Sequence, residues 1–143
     1  MKRHVFPLLQ ELLGLFPCVA LLGVRQCGKT TLLQELLPGW RLFDLEKLAD
    51  HDAIARDPDL FLRLNAERVA IDESQLLPAL FPALRVAIDS RREAAGRFVI
   101  TGSSSPELLS AIAESLAGRI AIIEMAPFSL AEAYELPPSP LYG

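Results

Sequence analysis

The sequence predicts a three-layer α/β domain built around a five-stranded parallel sheet. Short apolar runs alternate with longer amphipathic segments along the 143 residues, as in a series of strand–helix units. The apolar runs are continuous and do not alternate with polar residues, which is typical of parallel strands covered on both faces. With 51% hydrophobic residues, a chain of this length can bury a substantial core.

The five predicted strands are short apolar runs that end in polar or turn residues. In chain order they are residues 18–22, 41–45, 68–72, 97–101 and 120–124.

The helices of the first half are indicated by apolar spacing and by end signals. Residues 5–15 carry apolar side chains at helical spacing, and the pattern stops near Gly14. A second helix is predicted over 29–37, where Pro38-Gly39 ends it. Asp57-Pro58 is a favourable N-cap and first-turn pair for a third helix that runs to residue 64.

The helices of the second half have similar signals. One begins near Pro78 or Pro82 and is expected to run to Ala95, before Gly96. Ser105-Pro106 caps a short helix. The capping box over residues 129–132 predicts a final helix.

Composition limits the class of protein. Residues 1–135 form one predicted domain, and the proline-rich residues 136–143 resemble a linker to an absent C-terminal domain. The net charge of −4 argues against a surface built for constitutive nucleic-acid binding. No apolar run approaches the ~20 residues of a membrane span, so we expect a cytoplasmic protein without membrane contact. Cys18 and Cys27 are expected to be reduced thiols.

A phosphate-binding pattern follows the first predicted strand. Residues 23–30 match G-x-x-x-x-G-K-[ST] between a strand and a helix, which is the setting of a P-loop. Backbone N–H groups of such a loop converge on nucleotide phosphates at a helix N-terminus. Lys29 would reach the β- and γ-phosphates, and the Thr30 hydroxyl would bind Mg²⁺. The alternative is a glycine turn with a solvated lysine. The candidate nucleotide-binding residues are Gly23, Val24, Arg25, Gln26, Cys27, Gly28, Lys29, Thr30 and Thr31.

Two acids lie at the end of the third predicted strand: Asp72 is its last residue and Glu73 follows immediately. Asp72 lies where a carboxylate can hold Mg²⁺ through water, beside the P-loop. Glu73 lies where a carboxylate can polarise the water that attacks the γ-phosphate. Consecutive acids after a strand also occur as ordinary solvated loop residues, but the P-loop favours the catalytic interpretation.

Two further segments offer candidate catalytic residues. Ser103 or Ser104, after the fourth strand, could position the water or detect phosphate loss; serines also simply cluster in turns, and Ser105 is needed as an N-cap. Arg119, before the last strand, could act on a nucleotide as an arginine finger in trans or in cis. Its alternative role is a surface guanidinium stabilised by a helix C-terminus.

Together these segments resemble the AAA-type ATPase domains found ahead of a DUF4143 C-terminal domain, the AAA_14 group. The matching stretches are residues 23–33, 71–75, 97–105, 114–120 and 127–132, which span nearly the whole chain. The resemblance implies a RecA/AAA-like P-loop NTPase sheet, ATP rather than GTP, a sensor role at Ser103 or Ser104 and an arginine finger at Arg119. Ser74 departs from the apolar residue usual there, and the AAA lid and second sensor arginine expected after residue 143 are missing.

The resulting functional expectation is an ATP-hydrolysing, Mg²⁺-dependent motor or switch module. Its partner would be an unknown protein or nucleic acid bound through the missing C-terminal region, and Arg119 would allow a homo-oligomer. A non-hydrolysing nucleotide-binding interaction domain is the second hypothesis. A small-molecule phosphotransferase is a third and weaker one, because no arginine-rich lid segment is evident.

Overall fold

The computed structural model describes residues 2–23, 33–34, 39–125 and 134–135, with side-chain surroundings for 7–23, 33–34 and 39–125. Five helices and six strands have defined bounds, together with a short 3₁₀ turn at Ser74–Leu76. The helices are α1 (Lys2–Leu13), α2 (Leu48–Ala55), α3 (Pro58–Leu64), α4 (Leu80–Asp89) and α5 (Pro106–Leu116). The strands are β1 (Cys18–Gly23), β2 (Arg41–Asp44), β3 (Val69–Asp72), β4 (Phe98–Gly102), β5 (Ile120–Met125) and β6 (Tyr134–Glu135).

The sheet has the order β2-β3-β4-β1-β5-β6, and its first five strands are parallel. β1 is central, with Ala20 aligned to Ile100 of β4 and to Ile122 of β5. The predicted five-stranded parallel sheet is therefore confirmed. Every predicted strand agrees with the structure to within one residue at each end.

Both faces of the sheet are covered, which explains the continuous apolar runs. On one face, Cys18, Ala20 and Leu22 of β1 pack in a cluster with buried side chains of α2, α3, α4 and α5. On the other face, Val19 and Leu21 pack with α1 and with Leu33, a fully buried residue in helical conformation. The three-layer arrangement follows from this division. Burial in the first cluster raises the pKa of the Cys18 thiol, so it behaves as an inert apolar group.

The helices differ from the predictions at three places. α1 covers Lys2–Leu13 instead of residues 5–15. Residues 48–55 form a helix that the sequence did not indicate, because only Ile54 of this segment is buried and no apolar stripe is present. α4 ends at Asp89 instead of continuing to Ala95. Its last carbonyls are taken by side chains: the Ser90 hydroxyl and the Arg97 guanidinium each donate to the Ala87 carbonyl oxygen at 2.8 Å.

The sixth strand was not predicted. Tyr134 and Glu135 pair antiparallel with Glu124 and Ile123 of β5. The expected helix from residue 129 lies outside the described residues as far as 133, and at 134–135 the backbone is a strand instead. Pairing with the outer edge of β5 satisfies hydrogen-bonding groups that a sheet edge otherwise leaves open. The longest described helix has 12 residues, and none in the described ranges has the length and hydropathy of a membrane span.

Arg97 is a buried cation at the amino edge of the sheet. It is only 2% exposed, and its guanidinium donates to the carbonyl oxygens of Ala66 at 2.9 Å and Ala87 at 2.8 Å. The same group lies 4.9 Å from the centroid of the Phe98 ring. Burial lowers the pKa of Arg97, and the charge of Arg91 lowers it further. This side chain joins the ends of α3 and α4 to β4.

Replacing Arg97 by Met should therefore destabilise the fold by on the order of 2–4 kcal/mol, because two carbonyl oxygens lose a charged donor. Urea unfolding monitored by circular dichroism measures this change. Arg92→Met is the matched control, since Arg92 is exposed and its loss should change stability by less than about 0.5 kcal/mol. Equal midpoints for both variants would show that Arg97 has no bridging role.

Candidate functional site

The carboxyl ends of β1, β4 and β3 meet at one edge of the sheet. They end in Gly23, Gly102 and Asp72 respectively. Because β4 lies between β3 and β1, Asp72 is two strands away from the end of β1, about 10 Å at the usual strand spacing. Gly23 is the first residue of the predicted phosphate loop. The remaining predicted phosphate-binding residues, 24–31, lie outside the described residues.

Asp72 and Thr101 lie on the sheet face that carries α1 and Leu33. Side chains alternate along a strand, and Ala70 and Val99, two positions earlier, belong to the cluster that contains Leu33. Leu33 follows the phosphate-loop sequence within the predicted helix. The acid after β3 thus faces the helical layer in which a P-loop helix would lie.

Thr101 connects the two acids to β4. Its hydroxyl donates to Asp72 Oδ1 and accepts from the Glu73 N–H at 3.0 Å. Its carbonyl oxygen accepts from the Ser74 hydroxyl at 2.7 Å. Thr101 and Ser74 are fully buried, and Asp72 is 5% exposed. These three hydrogen bonds fix the end of β3 against β4 in an environment where each polar group needs its partner.

Glu73 has a strained backbone and a restrained side chain. Its φ of 61° and ψ of 51° are left-handed, which is costly for a residue with a Cβ atom. Its Oε1 atom accepts a hydrogen bond from Gln75 Nε2 at 2.8 Å. The sharp turn separates two acids that are adjacent in sequence: Asp72 points into the buried face, while Glu73 remains half-buried at the edge.

The serines after β4 occupy the same edge. The Ser105 hydroxyl accepts from the Leu108 N–H at 3.2 Å, so it is the N-cap that the sequence indicated. Ser103 is half-buried and Ser104 is exposed. The hydroxyl that contacts Asp72 and Glu73 belongs to Thr101, which sequence reasoning missed. Its signal was a hydroxyl residue at the end of a strand predicted to neighbour the acids.

Arg119 lies at the opposite edge of the sheet, directly before β5. Its Nε and Nη2 atoms donate to the two carboxylate oxygens of Asp89 at 2.7 and 3.0 Å, and its Nη1 atom donates to the Ala117 carbonyl oxygen at 3.0 Å. The hydrogen bond between them raises the pKa of Arg119 and lowers the pKa of Asp89. The six residues of β5 separate this edge from the carboxyl edge by about 16–20 Å along the strands.

Asp72 fits a magnesium site of the kind that uses few protein ligands. Mg²⁺ prefers oxygen ligands and commonly retains waters beside one or two protein groups and substrate phosphates. Within the described ranges, no cluster of three or more His, Cys, Asp or Glu side chains could hold a metal ion by itself. A buried carboxylate anchored by Thr101 therefore suits a shared site completed by Thr30, which lies outside the described residues, and by phosphate oxygens.

Comparison with known proteins identifies the family. The family model described as "AAA domain" matches residues 16–134, so the chain belongs to this family of P-loop, AAA-type ATPase domains. The expected AAA_14 membership is confirmed. Membership of an ATPase family supports a nucleotide-binding P-loop domain as the general class of this molecule.

Relatives and solved structures agree with this assignment. Uncharacterised proteins of Mycobacterium tuberculosis and Mycobacterium bovis are each 41% identical over 128 residues, which is 87% of this chain but 28% of theirs. The chain thus spans about a quarter of their length. A Walker-type ATPase of Pyrococcus abyssi has a TM-score of 0.64 at 22% identity, covering 90% of this chain and 54% of that one. A DNA replication initiation factor has a TM-score of 0.51 at 15% identity, covering 85% and 44%. These two structures share the fold.

Thr101→Val should destabilise the protein by about 1–3 kcal/mol, because the isosteric change leaves Asp72 Oδ1 and the Glu73 N–H without the hydroxyl. Thr101→Ser keeps the hydroxyl and is the matched control; it should retain most of the stability. Urea unfolding of the two variants and the wild type provides the comparison. If valine is tolerated as well as serine, the hydroxyl does not hold the two strand ends together.

Proposed function

We propose that this domain binds ATP with Mg²⁺ and hydrolyses it. The observation that carries the proposal is the Thr101-anchored pair of acids at the carboxyl edge, separated by one intervening strand, β4, from the strand that leads into the phosphate-loop sequence. A metal-binding acid and a base are both needed for hydrolysis, and they must differ in position. The left-handed turn at Glu73 places the two acids in different positions, although they are adjacent in sequence.

Each side chain has a distinct role in the proposed reaction. Lys29 and the loop N–H groups bind the phosphates, and Thr30 and Asp72 hold Mg²⁺. The bound ion would neutralise charge on the phosphate oxygens. Glu73, half-buried and pinned at one carboxylate oxygen, orients the attacking water and accepts its proton. Ser103 and Ser104 directly follow β4 at the same edge of the sheet, and from there they would detect the γ-phosphate.

We propose that the domain works as a motor or switch module in the cell. The partner on which it acts would be bound by a region outside these 143 residues. Because the chain spans 28% of its mycobacterial relatives, the larger part of each relative lies outside the match. A protein or nucleic-acid partner would be recognised there. The alternative, a nucleotide-binding module without hydrolysis, differs in one measurable property, which is phosphate release.

Lys29→Ala and Glu73→Gln should separate binding from hydrolysis. Lys29→Ala removes a charge-assisted contact and should abolish ATP binding measured by calorimetry. Glu73→Gln keeps the shape but cannot take a proton, so ATP should bind while phosphate release falls on the order of 10²–10⁴-fold. Lys47→Ala, an exposed residue near β2, is the control for loss of a lysine. Unchanged affinity in Lys29→Ala would refute the P-loop assignment. Unchanged phosphate release in Glu73→Gln would remove Glu73 from the mechanism, whereas a wild type that binds ATP without releasing phosphate would favour the non-hydrolysing alternative.

We further propose that Arg119 acts in trans, in a homo-oligomer. The strand rise separates the amino edge, where Arg119 lies, from the carboxyl edge by about 16–20 Å, and the acids of the same chain lie three strands further across the sheet. Arg119 is therefore too far from its own site to act in cis. A neighbouring copy could receive it if the guanidinium exchanged Asp89 for a γ-phosphate. A bidentate pair of partly exposed groups, 26% and 35% by side chain, is an exchangeable contact.

Arg119→Ala and Asp89→Asn distinguish a finger from a structural ion pair. Both variants break the pair, but only Arg119→Ala removes the finger, so kcat should fall by up to ~10³-fold in Arg119→Ala and stay near wild type in Asp89→Asn. Mixing Arg119→Ala with Glu73→Gln should restore activity, because one protein retains a base and the other a finger. Equal losses in Arg119→Ala and Asp89→Asn, or no rescue in a co-assembled mixture, would assign Arg119 to structure alone.

A further inference from the structure

Two costly features occur within three residues at the end of β3. Glu73 adopts a left-handed backbone, as described above. Gln75 Oε1 is buried and has no hydrogen-bond partner among the described residues. A buried acceptor without a donor costs free energy, and a folded protein retains few of them. Strain and unsatisfied polar groups of this kind concentrate at functional sites.

The orientation of the Gln75 amide is determined by its neighbours. Its Nε2 atom donates to Glu73 Oε1 at 2.8 Å. Exchanging the amide oxygen and nitrogen would place an oxygen against the carboxylate and lose this bond. The oxygen therefore points away, under the end of β4. There it lies 2.7 Å from the position that a Cβ atom would occupy on Gly102, and Leu108 Cδ2 lies 2.5 Å from the same position.

Glycine at position 102 thus leaves room for the amide. Any larger residue would bring its Cβ atom into collision with both the Gln75 amide and the Leu108 side chain, so one of them would have to shift. An apolar side chain at 75 would fill the same space without an unsatisfied oxygen. Stability alone therefore does not explain a glutamine here, whereas the hydrogen bond to Glu73 does.

We propose that Gln75 is a positioning residue for the Glu73 carboxylate. This role rests on the proposed ATP hydrolysis and adds one residue to that site. The Gln75 amide holds Oε1 of Glu73 and leaves Oε2 of Glu73 to face the attacking water. The Thr101 hydroxyl fixes the Glu73 backbone by accepting a hydrogen bond from the Glu73 N–H, and the Gln75 amide fixes the Glu73 side chain. Holding both ends restricts the rotation of a carboxylate that would otherwise sample several rotamers at the protein surface.

A double-mutant cycle tests this role through kinetics. Gln75→Met has similar length but no donor, and it should lower kcat on the order of 10–100-fold while leaving ATP affinity unchanged. In the Glu73→Gln background the same change should alter the remaining rate by less than about twofold, because the residue acts through Glu73. Gln75→Glu, which retains shape but only accepts hydrogen bonds, should be at least as impaired as Gln75→Met. Equal losses in both backgrounds would show a structural role and overturn the proposal.

A second measurement tests the contact without activity. The side-chain amide protons of Gln75 should give an NMR resonance shifted by the carboxylate, and Glu73→Ala should return it toward the free-glutamine position. A resonance that Glu73→Ala does not move would overturn the proposal. If Glu73→Gln leaves phosphate release unchanged while this resonance does move, the contact stands and the proposed role of Glu73 as the base fails. If Gln75→Met leaves kcat within about twofold of wild type in an enzyme that needs Glu73, the positioning role fails alone.

Discussion

The parallel register of β3, β4 and β1 is the constraint on which the candidate site depends. Parallel strands bring their carboxyl ends to one edge, and β4 lies between the strand that carries the acids and the strand that leads into the phosphate loop. Thr101, the penultimate residue of β4, is therefore placed to contact both acids. A hydroxyl at Thr101 suits this place, because it can donate to a carboxylate and accept from a backbone N–H at once. The register thus determines which side chain couples the two halves of the site.

The strands were the most predictable part of the fold. Each is buried on both faces, so its apolar run is continuous, and its ends are marked by polar residues. The helices were predictable where the sequence has an apolar stripe, which indicates a buried face, or a capping residue, which marks a helix end. α2 has neither; the contact that fixes its start is made by Asp50, whose Oδ2 accepts from the Asp44 N–H at 2.9 Å. Such a contact depends on the tertiary fold and leaves no periodic trace.

The site was predictable in its residue types but not in its internal contacts. The acids after β3 and the serines after β4 follow from strand ends alone. Thr101 and Gln75 did not, because the hydrogen bond from Glu73 to Thr101 joins residues 28 apart and the role of Gln75 depends on a turn. That turn was also hidden: glutamate carries no preference for left-handed backbone, so the conformation of Glu73 is imposed by its surroundings. Physical reasoning from sequence therefore proposes candidate groups before it identifies the contacts that hold them.

Two arginines at the amino edge of the sheet contact carbonyl oxygens near helix ends, and they differ in how firmly they are held. Helices in this fold run antiparallel to the strands, so their carbonyl ends gather at the amino edge, where cations are favoured. Arg97 and Arg119 both lie there, and each donates to a carbonyl oxygen near a helix end. Arg97 is buried and committed to that role, whereas Arg119 is partly exposed and shares its charge with Asp89. A guanidinium that already has a carboxylate can move to a phosphate only if the second anion offers more charge. In the proposed homo-oligomer a triphosphate would do so, and ATP bound to one copy would then favour release of Arg119 from Asp89 in the next.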